Sequence, residues 1–316
     1  MSISRVSTYQ LNKAFGNQLS NTQAKFNKLA EQIGTGVAVS SMTDDPVAAG
    51  SIIKANKQLD AISTYQSNIK TTDIELSELD STLKSINDQL GKAHDVAMQV
   101  SNGTMGADEI KAYQSELNSI IDNVTKLANT EYNGKYLFSG TKTTTIPYSQ
   151  SEEGMLYQGN SEKRSVLIGD DKTQEISLIG SQVFGEAVYT QDEEGNYVFD
   201  PSKSSGAFGA LFQLKEAIAD TENIDTAAIS SAMGKLDTSM DTITASKTRM
   251  GAISESFDDM LSSYQNDELN LKELRSNLQE TDLPSAISNW YSVYQSMQAS
   301  YSMMSQTMNV SLLNFI

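Results

Sequence analysis

The chain contains no cysteine, one histidine and four prolines among its 316 residues. Without cysteine it can build no disulfide framework, thiol nucleophile or cysteine-ligated zinc site, and histidine chemistry is confined to one position. No run approaches the ~18 to 20 consecutive apolar residues that a membrane-spanning helix needs. The start, Met1-Ser2-Ile3-Ser4-Arg5, has no apolar signal-peptide core. Such a chain is expected to stay in the cytosol unless it leaves by a route without a cleaved signal. Cations are scarce: 23 Lys and Arg stand against 40 Asp and Glu, a formal net charge of −17. That balance excludes a broad phosphate-binding footprint, which needs clustered Lys and Arg, and favours solubility.

Charge is missing from particular places as well. Residues 285–316 hold no Asp, Glu, Lys or Arg, although charged residues make up 20% of the chain, and residues 1–12 carry only Arg5. A solvated surface helix needs a charged face, so these ends are read as helices whose several faces are covered by neighbours.

What is present is helical spacing. The series Ile62, Tyr65, Ile69, Thr72, Leu76, Leu79, Leu83, Ile86, Leu90, Ala93, Ala97, Val100 alternates steps of three and four with one polar lapse, and predicts an amphipathic helix with a coiled-coil seam. Asn102-Gly103 breaks it, and Ile110, Tyr113, Leu117, Ile120, Val124, Leu127 predict an antiparallel partner after a short connection. From Asn133 to about Gly206 the period shortens. Tyr136-Leu137-Phe138, Val166-Leu167-Ile168 and Ile176-Ser177-Leu178 read as strands, with turns at Asn133-Gly134, Gly169-Asp170 and Glu194-Gly195-Asn196. Helical spacing returns at Leu211, and from Ile229 it runs on to Leu278, imperfect at Lys247, Ser254, Glu268 and Arg275. Pro284 is expected to end that helix, with Ser285 capping the next.

The two ends carry matching stripes. The N-terminal one is Leu11, Phe15, Leu19, Phe26, Leu29, Ile33, with Thr22 in its polar slot, ending at Gly34-Thr35-Gly36. The C-terminal one is Ile287, Trp290, Tyr294, Met297, Tyr301, Met304, Met308, Phe315. These residues are the expected assembly interface. The fold class that follows is mainly α: an elongated antiparallel helical bundle or coiled coil made by both chain halves, with a small β-rich insertion. The expected division is 1–42 with 285–316 as a terminal assembly core, 43–140 with 207–284 as a helical bundle, and 141–206 as an outward-facing β insertion.

No residue is assigned a catalytic, cofactor-binding or metal role, and no cofactor is expected. His94 beside Asp95 has no nucleophile motif around it. Asp192-Glu193-Glu194 lacks the alternate carboxylates and distal Glu of a calcium loop and reads as a solvated turn. Gly34-Thr35-Gly36 lacks the third glycine and preceding strand of a dinucleotide fingerprint. In Thr43-Asp44-Asp45-Pro46-Val47, an Asp cap precedes a Pro in the first turn of a helix; the acidic pair could alternatively meet a cation or a partner's Arg.

Three features together resemble the bacterial flagellin superfamily: an N-terminal helix followed by Ser40-Ser41-Met42-Thr43-Asp44-Asp45-Pro46-Val47-Ala48-Ala49, the stretch Asn133-Gly134-Lys135-Tyr136-Leu137-Phe138-Ser139-Gly140, and a paired C-terminal helix. The motif Asp44, Asp45, Pro46 with Val47-Ala48-Ala49, and the segment from Tyr157-Gln158-Gly159-Asn160 through Arg164 to Gly180-Ser181-Gln182-Val183-Phe184, resemble its hook-associated branch. The ending Ser311-Leu312-Leu313-Asn314-Phe315-Ile316 departs from the basic finish of many flagellins. The resemblance implies a non-enzymatic structural subunit of the flagellum, extracellular and exported without a cleaved signal peptide, whose terminal helices pack in a ring that joins hook to filament. The partners it implies are copies of itself, a neighbouring hook-associated protein, flagellin, and a cytosolic export chaperone at the C-terminal helix. A minor flagellin, or a coiled-coil adhesin whose β insertion binds, are the competing readings.

Overall fold

The computed structural model describes residues 3–101 and 105–313, with side chains described at Gln10, 13–101 and 105–306. Its elements run α1 (Ile3–Thr35), α2 (Pro46–Ser101), α3 (Ala107–Ala128), β1 (Glu131–Tyr132), β2 (Lys135–Tyr136), β3 (Tyr148–Ser151), β4 (Gly154–Tyr157), β5 (Ser165–Gly169), β6 (Lys172–Glu175), α4 (Gly180–Val183), β7 (Ala187–Gln191), β8 (Tyr197–Phe199), α5 (Gly206–Ala217), α6 (Thr226–Gln279) and α7 (Leu283–Leu313). The chain is mainly helical, with long helices from both halves and a small antiparallel β region. It divides into two compact units, Met1–Ala61 with Asn266–Ile316, and Ile62–Gln265.

In the second unit the predicted seam is buried along its length. Ile62, Ile69, Leu76, Leu83, Leu90 and Ala97 recur every seven residues, interleaved with Leu79, Ile86, Ala93 and Val100, and all are shielded from solvent. The polar lapse at Thr72 is buried with them. On α6 the sevenfold series is Ile229, Leu236, Ile243, Met250 and Phe257, again all buried. A strict seven-residue repeat keeps one face of each helix toward its mate. Fully burying each such Leu or Ile contributes about 2 kcal/mol.

Cross-links fix the direction of this pair. Tyr65 meets Tyr264 at 5.9 Å between ring centroids, Ser254 donates to Asp73 at 2.5 Å, Lys247 lies 3.6 Å from Asp80, and His94 lies 3.5 Å from Asp237. Rising numbers on α2 meet falling numbers on α6, so the helices are antiparallel. The break expected at Asn102-Gly103 lies outside the described residues, and α3 starts at Ala107. Its Ile110, Leu117, Ile120 and Val124 are buried as the spacing predicts.

The β region forms a four-stranded antiparallel sheet in the order β3-β4-β7-β8 and two hairpins, β1-β2 and β5-β6. Asn133-Gly134 turns the first hairpin, with φ of 50° and 74°. Two successive positive φ values give the turn whose twist matches a hairpin, and Asn and Gly tolerate them best. Helix α5 is buried continuously from Ala207 to Leu214, with Gln213 the one polar side chain among them. Tyr148 packs against Phe184 and against Phe208 of this helix.

The β5-β6 hairpin is fastened to the long helices of its unit. Arg164 pairs with Glu75, and Asn68 Nδ2 donates to Leu167 O at 2.9 Å. Tyr264 OH donates to Ile168 O at 2.5 Å, and Arg249 reaches Glu175 at 3.3 Å.

In the first unit α1 lies antiparallel to α7, and Gly34-Thr35-Gly36 ends α1 as expected: Gly36 has φ 72° and its N–H donates to Gln32 O at 2.9 Å. The expected stop at Pro284 is corrected. Helix α6 ends at Gln279, and Pro284 sits inside the first turn of α7, where it sacrifices no hydrogen bond. Asp282, not Ser285, is the cap. Its carboxylate accepts from Ser285 Oγ at 2.6 Å and Ser285 N at 3.5 Å, and its carbonyl accepts from Ala286 N at 2.8 Å.

Candidate assembly surface

The loop between α1 and α2 is built around one carboxylate. Asp44 Oδ1 pairs with Lys28 Nζ at 2.8 Å, while Oδ2 accepts from Ser40 N at 3.1 Å, Ser41 N at 3.0 Å and Ser40 Oγ at 3.0 Å. The Lys28 ammonium beside it, and then the Ser40 and Ser41 donors, hold the Asp44 carboxyl well below the usual carboxylate range. Asp45 does different work. Its Oδ1 accepts from Val47 N at 2.9 Å and Ala48 N at 3.0 Å, so it caps α2 with Pro46 at the first helical position. Of the acidic pair, one residue meets a cation of its own chain and the other caps.

The same loop ties the front of the chain to its end. Ala38 N donates to Gln279 O at 2.7 Å, Thr281 N donates to Gly36 O at 2.9 Å, and Gln32 Nε2 donates to Ala38 O at 2.9 Å. That bonding sets the register in which α1 and α7 run side by side.

Three of the expected interface residues then stack. Phe26 lies 5.1 Å from Trp290 and 6.1 Å from Tyr294, and Trp290 lies 5.9 Å from Tyr294 with the planes 8° apart. Trp290 Nε1 is buried and finds no acceptor. Phe15, Leu19, Leu29, Ile33, Met297 and Met304 are half-buried, whereas Ile287 and Tyr301 are exposed. The side chains of Leu11 and Met308, and all of Phe315, lie outside the described residues.

Within one chain the α1–α7 pair therefore covers a single stripe of α7. Tyr294 remains 38% exposed, Tyr301 51%, Tyr291 57% and Met303 59%. No charged side chain accompanies them, because none occurs after Asp282. Large rings and thioethers are thus exposed on a helix face that no charged side chain solvates. Tyr291 and Met303 were not singled out by the spacing, since they fall off the stripe that faces α1.

The resemblance motifs of the second unit converge on one another. Gly180 N donates to Phe138 O at 2.9 Å, Asn160 N to Ser139 O at 3.2 Å, and Tyr157 OH to Phe138 O at 2.8 Å. A Cβ on Gly159 would lie 2.2 Å from the Tyr157 hydroxyl, so that position tolerates no side chain. At the β7-β8 turn, Asp192 Oδ1 accepts from Glu194 N at 2.9 Å and Asn196 N at 2.8 Å, which lowers its carboxyl affinity for protons. It organises a turn. Among the described residues no group of three His, Cys, Asp or Glu side chains could hold a metal ion, and no helix is long and apolar enough to cross a membrane.

Comparison with known proteins agrees with this architecture. Flagellar hook-associated protein 3 of Salmonella typhimurium is 26% identical over 321 residues, with 98% of each chain covered. Flagellin 1 of Proteus mirabilis, also 26% identical, aligns with 45% of this chain and 39% of its own. Among solved structures, a flagellar hook-associated protein from Vibrio parahaemolyticus shares the fold with a TM-score of 0.63 at 23% identity, covering 75% of this chain and 100% of that one. The model of the bacterial flagellin N-terminal helical region matches residues 6–143, and that of the bacterial flagellin C-terminal helical region matches 233–316. With both helical regions matched in order over well more than half its length, and with its two ends paired as their spacing requires, the chain belongs to the bacterial flagellin family.

Proposed function

We propose that this chain is the structural adaptor that joins the flagellar hook to the filament, assembling as a ring through its terminal helices. The observation that carries the reading is the uncharged, aromatic, largely uncovered face of α7 beside α1. A subunit that lived alone would leave that face in water at a cost, whereas copies side by side bury it. The end-to-end relationship to a hook-associated protein, against a partial one to a flagellin, favours the junction over the filament.

In this reading residues 1–42 and 285–316 form the assembly core, 43–140 and 207–284 the surrounding helical bundle, and 141–206 the outward-facing β segment. One side of the ring docks on a neighbouring hook-associated protein and the other receives flagellin. No reaction is catalysed. The chain acts outside the cell at the hook–filament junction and reaches it without a cleaved signal peptide. Before export the uncharged aromatic seam of α7 suits the amphipathic groove of a cytosolic chaperone.

The test is a strain lacking the gene, supplied with the full-length chain or with one truncated after Ser285. Flagellin spilled into the medium, and attached filaments restored only by the full-length chain, is the expected result. Normal filaments without the chain would overturn the junction and turn attention to a minor flagellin or an adhesin stalk.

A further inference from the structure

We infer that the groove between α1 and α7 receives the exposed end of α6 from a second copy of this chain, so that neighbours meet through two different surfaces of the first unit. The inference rests on the ring reading and adds the contact that would build it.

All 40 Asp and Glu lie between residues 31 and 282, so α1 up to Ala30 carries only cations and α7 beyond Pro284 carries nothing. The α1–α7 pair is the cationic element of an acidic molecule. Between the two helices runs a groove of about 330 Å³ lined from α1 by Lys25, Lys28 and Leu29 and from α7 by Asn289, Ser292 and Val293. Lys28 is committed to Asp44 at 2.8 Å, while Lys25 is exposed and forms no ion pair among the described residues. A groove of that composition fits a helix ridge that offers one aliphatic side chain and a carboxylate about a turn apart.

The chain itself carries such a ridge. On α6, Leu269, Glu273 and Asn277 fall within about 80° of arc at 3.6 residues per turn, and all three are exposed. Leu269 is 64% exposed, and Leu274 beside the ridge is exposed as well. Glu273 has no cation within ion-pair distance among the described residues. Seating Leu269 over Leu29 and Val293 would bring Glu273 within reach of Lys25. Both halves of the contact belong to every copy, so each copy can give its ridge to one neighbour and its groove to the other. Contacts of two unlike surfaces run head to tail and close into a ring when the rotation permits.

The absence of native cysteine makes the test clean, because any disulfide must come from introduced residues. Full-length Lys25→Cys and Glu273→Cys chains are expressed together in the deletion strain, and their flagella are isolated and oxidised. The same two chains are purified, mixed at up to millimolar concentration and oxidised. Dimers linking the two variants, at least tenfold above those from either variant alone, are expected. Dimers formed equally by one variant alone would mean a two-fold contact and overturn the inference. Flagella that contain both variants without a cross-link would overturn it too. If the thiol introduced at position 25 is shielded from a thiol reagent in those flagella, yet never joins the thiol at position 273, the groove belongs to another flagellar subunit and the inference is again overturned. If the chain is absent from flagella, or filaments attach normally without it, the junction reading fails on its own, and the purified mixture still decides the contact. As a check on charge, Lys25→Glu and Glu273→Lys should each raise spilled flagellin several-fold, and the double reversal in one chain should return it toward the unmutated level. A double reversal no better than either single change would also overturn the pairing.

Discussion

Tyr294→Asp tests the assembly surface most directly. In the free chain Tyr294 stacks on Trp290 and Phe26 and is 38% exposed, so the substitution removes two aromatic contacts worth about 0.5–1.5 kcal/mol each. The carboxylate it introduces stays solvated on that open face, so the monomer loses about 1–3 kcal/mol of local packing in total. Both ring partners belong to the first unit, so the Ile62–Gln265 unit keeps its buried seam. Assembly is penalised much more. Once a neighbour covers the face, an unpaired carboxylate is taken out of water at about 3–5 kcal/mol, which is about two to four decades in affinity. The expected outcome is a soluble, helical protein whose main thermal transition by far-UV circular dichroism matches the unmutated chain, and which fails to retain filaments when it is the only copy in the cell. Tyr294→Phe, which keeps the ring, should assemble. The reasoning is refuted if Tyr294→Asp supports normal filaments, since the α7 face would then remain wet in the assembly. Collapse of the main transition would refute it in another way, by showing that the residue serves the fold rather than the contact.

Asp45→Ala removes the acceptor for Val47 N and Ala48 N and should cost about 1 kcal/mol at the start of α2, read as faster amide exchange at residues 47–49, with Asp45→Asn nearly neutral. Glu75→Gln leaves Arg164 on the β5-β6 hairpin without its counter-charge. Because both side chains are only about 15% exposed, the loss should be about 1–3 kcal/mol, short of a fully buried pair, and should lower the thermal midpoint of the second unit. The Asp44 carboxyl, depressed by Lys28 and the Ser40 and Ser41 donors, favours the folded loop fully above the ordinary aspartate value of about 4. That contribution is lost progressively as pH falls from there through the lower folded-state value. Carboxyl chemical shifts should therefore show Asp44 still ionised at about pH 3, and a titration midpoint near 4 would refute the loop geometry.

The helices were legible because a seven-residue repeat is written locally. Ile69, Leu76 and Leu83 announce the same face three times, and even Thr72, polar as it is, stays buried because its neighbours on the stripe fix the helix rotation. Asn133-Gly134 was legible for the same reason, since two adjacent residues determine the turn. Pairings across distance were not. Nothing near Glu75 says that Arg164 will meet it, and nothing near Leu167 points to Asn68. Such contacts follow from the packing of whole elements and leave no periodic trace. The cap of α7 was misplaced because Asp282 and Ser285 are both good caps, and the choice falls to the residue whose carbonyl also begins the helix. Of the α1–α7 pair, composition revealed the missing charge, and the stripe identified the stacked Phe26, Trp290 and Tyr294. The open residues Tyr291 and Met303 needed the three-dimensional pairing of α1 with α7 to be distinguished from the covered ones.

The bonds from Thr281 to Gly36 and from Ala38 to Gln279 join segments separated by most of the chain. A ribosome adding roughly 5–20 residues per second therefore completes α1 on the order of tens of seconds before it makes the strand of chain that α1 will meet. Throughout that interval the Phe26 side of α1 has no mate, and a chain shortened at either end loses the same α1–α7 pairing. Timing, as much as affinity, decides when this subunit becomes able to join another.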